Sequence, residues 1–200
     1  MVRSVYLLGE TEKYFDSGRN PLSLSCMTKS LLTLLEGGDR RSIGRANQVA
    51  VAVSRNRALF PALMQGWWSD DPLVRMRAAD ATEKVTRKNP DLLTAYKKQL
   101  LKLLSDVEQQ ELRWHLAALV TRLPLSRRQR YLAASSLRCY LRDQSSIVKT
   151  CALQALADLA KDDSTMRPEV KKLLYQSVRN GTPAMKARSR KLLRRLDSDD

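Results

Sequence analysis

Leu63, Leu100, Leu137 and Leu174 fall 37 residues apart. Four residues further on, Trp67, Leu104, Leu141 and Val178 keep the same step; four residues earlier, so do Leu59, Tyr96, Ala133 and Val170. Apolar positions recurring every 20–50 or so residues mark a repeat array, in which a unit buries its apolar face only by stacking on its neighbours. Within each period apolar residues return every three or four positions, which predicts helices.

The spacing predicts five helix pairs. A short first pair spans residues 31–35 and 43–53, split by Gly37-Gly38. In the second pair Leu59, Phe60, Leu63 and Trp67 share one face. Ser69, Asp70 and Asp71 then offer caps for a helix that begins at Pro72 and turns Val74, Ala78, Ala81 and Val85 inward. Asn89-Pro90 ends that helix, because proline disfavours helix in the residue before it. The third pair reads as 91–104 and 108–123, the fourth as 127–142 and 146–160, the fifth as 168–179 and 183–196. Gly181 is the expected stop between the last two helices and Thr182 the next cap. The second helices carry a register of their own, Ile43, Val74, Leu112, Val148 and Met185, whose uneven steps fall in the turns. Residues 1–27 do not fit the period and read as an irregular N-terminal cap, with residues 28–200 forming one solenoid.

The string Leu59-x-Pro61-x-Leu63, Trp67, Asp70, Val74-Arg75, Ala78 resembles the HEAT repeat. Leu112-Arg113, Val148-Lys149 and Met185-Lys186 repeat its apolar–basic dipeptide. Asp106 and Asp143 repeat its turn acid, and Asn180 replaces that acid in the last unit. The resemblance covers about residues 28–196 and implies an all-α, right-handed α-α superhelix of about five helix pairs, with the second helices on its concave side. It also implies a ladder between neighbouring units, formed by Asp70, Arg75, Asp106, Arg113, Asp143, Lys149 and Lys186. The proline occurs in the second unit alone, so single units are degenerate.

The 200 residues hold 36 Lys and Arg against 21 Asp and Glu, a net charge of +15, which admits a polyanionic partner. Three clusters concentrate this charge. They are Arg40, Arg41, Arg45, Arg55 and Arg57; then Arg122, Arg127, Arg128, Arg130, Arg138 and Arg142; then Lys186, Arg188, Arg190, Lys191, Arg194 and Arg195. No acid occurs among residues 121–142 or 182–196. A cationic stripe binds phosphates, while a terminal unit needs a polar outer side in any case. Trp67 reads as core, and Trp68 with Trp114 as a candidate aromatic surface.

Catalytic constellations are missing. His115 is the single histidine, so a zinc site built from several histidines is excluded. Cys26, Cys139 and Cys151 lack metal-ligand spacing; Cys139 and Cys151 lie in apolar helical stretches, and the thiols read as small buried side chains in a reducing compartment. No cofactor is implied. Val5-Tyr6-Leu7-Leu8 is too short for a signal core and no apolar run reaches a membrane span, so a cytoplasmic protein is expected. Trp67-Trp68 followed by Asp70 and Asp71, with Arg113, faintly resembles the HEAT-like DNA alkylation-repair glycosylases. The expected function is a non-catalytic scaffold or adaptor that binds a partner protein. The alternative is nucleic-acid binding through Arg127, Arg128, Arg130, Lys186, Arg188, Arg190, Lys191, Arg194, Arg195, Trp68 and Trp114, with a relationship to those glycosylases.

Overall fold

The computed structural model describes residues 31–39, 41–161 and 163–198, and within them the chain is all-α. The expected cap over residues 1–27, with Cys26, and Arg40 lie outside the described residues. After a helical turn at residues 31–33 the helices are α1 (Ala46–Arg55), α2 (Phe60–Gln65), α3 (Pro72–Thr86), α4 (Lys97–Asp106), α5 (Gln110–Val120), α6 (Arg127–Tyr140), α7 (Ser146–Lys161), α8 (Arg167–Asn180) and α9 (Pro183–Ser198).

The helices form two layers. The second helices α1, α3, α5, α7 and α9 pack side by side in chain order. Each first helix, α2, α4, α6 or α8, packs on the second helix that follows it. All four leucines of the 37-residue column are buried in the continuous core between the layers. This is the burial that no pair could achieve alone.

Local chemistry sets the helix starts. The Asp71 carboxylate accepts from Leu73 N–H at 2.7 Å, and Pro72 fills the first position of α3. Ser126 and Gln129 form a reciprocal capping box at α6, with Gln129 N–H donating to Ser126 Oγ and Gln129 Oε1 accepting from Ser126 N–H. Some elements depart from the periodic reading. Tight 3-10 turns flank α2 and occupy Pro90–Tyr96, so the third pair's first α-helix starts only at Lys97. Ile43 is 42% exposed; the inward side of α1 is Ala46, Val49, Ala50 and Val53 instead. Gly181 does stop α8, but at φ −78° rather than in the left-handed region. Its need is space, since a Cβ there would stand 2.5 Å from the Ser177 carbonyl oxygen.

The first turn is built around one buried arginine. Arg77, on α3, is 2% exposed. Its guanidinium donates to the carbonyls of Leu35 (2.8 Å), Glu36 (3.3 Å), Gly37 (2.5 Å), Asp39 (3.2 Å) and Ser42 (3.2 Å). Gly37 and Gly38 sit at φ 67° and 83°, which turns the loop's carbonyls inward at no Cβ penalty. Gly44, at φ 51°, lies so close that a Cβ would stand 2.8 Å from Arg77 Cζ.

Candidate partner-binding face

The solvent side of the second-helix layer carries charge of both signs, and most of it is paired. Between α1 and α3, Lys84 Nζ bonds Asp80 (2.5 Å) and Asn47 Oδ1 (2.6 Å). Between α3 and α5, Glu83 takes Arg87 (2.6 Å) and Arg122 (2.5 Å), and Arg122 also donates to Thr86 Oγ1 and the Glu83 carbonyl. Burial pushes the Glu83 carboxyl up, but the two guanidinium bonds outweigh it and hold the group below the usual carboxylate range. Between α7 and α9, Arg195 bonds Asp158 at 2.6 Å, Gln154 bonds the same carboxylate, and Arg188 reaches Gln154 Oε1 at 2.8 Å.

Between α5 and α7 the side chains become small, and a cavity of about 310 Å³ opens on this face. Ala118, Thr121, Thr150, Cys151 and Ala155 line its mostly apolar wall, and Arg122, Gln154, Asp158 and Arg188 complete the lining with polar groups that bond one another or their neighbours. The hydroxyls of Thr121 and Thr150 donate back to the carbonyls of Ala118 and Ser146, which leaves the wall few free polar groups. Burial raises the Cys151 thiol above its ordinary pKa, keeping it protonated and unreactive. The volume suits one apolar side chain or a small ligand fragment. The expectation of functional residues in the basic runs overlooked this wall, whose signal is a cluster of Ala, Thr and Cys where neighbouring junctions carry long side chains.

The unit-to-unit ladder takes a different form from the one the resemblance implied. Arg113, on α5, bonds Asp143 of the next turn at 2.6 Å and the Val107 carbonyl at 2.9 Å. Burial pushes the Asp143 carboxyl up, yet the Ser145 N–H and Arg113 bring it below the usual range. Arg75 donates to Gln109 Oε1 at 2.8 Å, and Gln109 Nε2 returns a bond to the Pro72 carbonyl. Gln109 thus occupies the rung expected of Asp106, whose exposed carboxylate accepts from Ser105. Asp70 contributes its main-chain carbonyl to Arg75, not its side chain. Lys149 lies near enough to Asp143 to lower its pKa, and Lys186 has no side-chain partner among the described residues.

The basic clusters divide the same way. Arg122, Arg130, Arg138, Arg188 and Arg195 are tied to Glu83, Asp163, Glu169, Gln154 and Asp158. Arg127 lies over the Tyr131 ring. Arg128, Arg190, Lys191 and Arg194 are exposed and have no polar partner among the described residues. Trp68 is 48% exposed at the end of its 3-10 turn, whereas Trp114 packs on the core edge-on to His115, so the two indoles have separate surroundings. Desolvation lowers the His115 pKa to about 4, so the ring is neutral at pH 7.

The residues matched to the glycosylase pattern have other duties. Trp67 is buried and donates to Thr82 Oγ1 at 3.0 Å, Asp71 caps α3, and Arg113 holds Asp143. Among the described residues no group of three or more His, Cys, Asp or Glu side chains could hold a metal ion, and no helix is long and apolar enough to cross a membrane.

No sequence-family model matches the chain, and no curated protein matches it. A solved structure does resemble it: the crystal structure of an engineered protein from the Northeast Structural Genomics Consortium. The two share 16% sequence identity with a TM-score of 0.58, over 90% of this chain and 85% of that one. At that identity the likeness is one of fold.

Proposed function

We propose that the chain is a HEAT-like array whose second-helix face binds a partner protein, making it a non-catalytic scaffold or adaptor. The observation that carries this reading is the pairing of charge on that face. Lys84, Arg87, Arg122, Arg188 and Arg195 are already engaged by side chains of their own layer. A phosphate backbone meeting this face would have to break those bonds, whereas a protein surface complements mixed charge around an apolar centre. The cavity between α5 and α7 supplies that centre, and its wall of small side chains suits a partner segment with an apolar anchor. Cys139 is exposed and Cys151 half-buried, where buried side chains were expected; both are free thiols, which fits a reducing compartment such as the cytoplasm.

The test is retention of a protein partner by tagged chain after nuclease treatment. Wild type is compared with Ala118→Trp, which fills the cavity from a half-buried position. The expected result is a stoichiometric partner held by wild type and lost by a variant of unchanged melting temperature. Loss of every retained protein from wild type on nuclease treatment, or equal retention by both proteins, overturns the reading.

A further inference from the structure

The face beyond α9 differs from the corresponding face of α3, α5 and α7. In the second-helix register, Ala79, Ala117, Leu153 and Arg190 occupy one column. The first three are buried and Arg190 is exposed. One turn further, Ala157 is buried and its counterpart Arg194 is exposed. Among the described residues a helix pair follows α7 and none follows α9, so these positions face the side on which α7 receives its next unit. The first-helix layer agrees. Arg138 reaches forward from α6 to Glu169 on α8 at 3.3 Å, and its counterpart 37 residues on, Tyr175, is 52% exposed on the same end.

Lys186, Arg190, Lys191 and Arg194 have no side-chain partner among the described residues, and neither does Arg179 at the end of α8. The acids nearby are few. Asp197 is held by Lys171 at 2.9 Å, and Asp199 and Asp200 lie outside the described residues. Mixed charge would serve as well to keep this end soluble and unstacked, and at lower repulsion.

We propose that this end face is a binding site for the phosphate backbone of a nucleic acid, separate from the protein partner assigned to the second-helix face. Three features select that ligand. Lys186, Arg190 and Arg194 follow one another at four-residue steps, about 6 Å along the helix, close to the advance of two phosphates on one strand. The two stacking positions hold guanidinium groups, whose planar donors match phosphate oxygens. The apolar side chains that a membrane or a protein partner would need are turned away: Leu192, Leu193 and Leu196 are buried in the core, and Tyr175 alone offers a ring, suited to stacking on a base.

The experiment is fluorescence anisotropy of a short labelled DNA duplex titrated with the full chain over a series of KCl concentrations. The double variant Arg190→Gln/Arg194→Gln is expected to bind about tenfold more weakly at low salt and to flatten the log–log salt slope by about 2, near 0.9 per phosphate contact. Lys98→Gln/Lys102→Gln, two exposed cations of α4 with the same loss of charge, is expected to bind as wild type does. Equal losses from both pairs overturn the site. So does tighter binding of poly-glutamate, or of vesicles containing phosphatidylserine, than of the duplex. Should the arginine pair alter the melting temperature, Lys191→Gln, at an exposed position on the same end, carries the comparison with an expected slope change of about 1.

Discussion

The two ends of the array treat arginine in opposite ways. At the first described unit the turn is closed by Arg77 of the neighbouring α3; this side chain is almost wholly buried and spreads its charge over five main-chain carbonyls of that loop. At the last unit Arg190 and Arg194 stand in solvent with no partner among the described residues. Both ends add to the net charge of +15, but only one offers that charge to a ligand. Total charge is therefore a poor guide to a binding surface. The pairing of each cation decides what it is free to do.

Breaking the buried end gives the largest effect. Arg77→Met leaves the inward carbonyls of residues 35–42 without their donor and costs about 3 kcal/mol or more. Thermal denaturation followed by circular dichroism should show it, and Gly44→Ala should destabilise too, through its contact with the same guanidinium. A melting temperature within a degree or so of wild type for Arg77→Met would remove the contrast between the ends.

The middle of the array lies between these extremes. Asp143→Ala breaks the rung to Arg113 and removes the acceptor for Ser145 N–H, at a cost of about 1–2 kcal/mol. Asp106→Ala, at the equivalent turn, should change stability by less than about 0.5 kcal/mol, because Gln109 has taken its place. Urea denaturation of the two variants in parallel separates them, and equal losses would restore the regular ladder.

A subtler test uses pH. The His115 pKa is lowered by burial from its ordinary 6.5 to about 4. Between these values the unfolded chain holds a proton that the folded chain does not, so this group's contribution to stability falls as pH drops from 6.5 towards 4. His115→Gln should remove that component, about 3 kcal/mol at the acid end, from a plot of unfolding free energy against pH. An unchanged slope in the variant would place the acid sensitivity elsewhere.

The leucine column was legible because stacking demands one buried position per unit, and Leu63, Leu100, Leu137 and Leu174 satisfy it in four successive units. Trp67 could be placed in the core because Leu104 and Leu141 occupy the same column. The Arg77 clamp was not legible: its acceptors are main-chain carbonyls, which every residue possesses and no motif records. Gln109 escaped for a related reason, since it serves the rung from a position three residues past the turn acid. The cavity wall of Ala118, Thr121, Thr150, Cys151 and Ala155 reads as ordinary small helix surface until α5 and α7 are brought together. The cationic runs were visible, but their division into paired and unpaired members depends on which helix lies opposite.

That division is tested most directly by comparing duplex-binding salt slopes for two charge-matched variants, with melting temperatures recorded on the same samples. Arg122→Gln/Arg195→Gln removes two cations that Glu83 and Asp158 already hold; Arg190→Gln/Arg194→Gln removes two that have no partner among the described residues. The first pair is predicted to lower the melting temperature and keep the wild-type slope, and the second to keep the melting temperature and flatten the slope by about 2. Equal flattening by both pairs would mean that only total charge matters and would contradict the account.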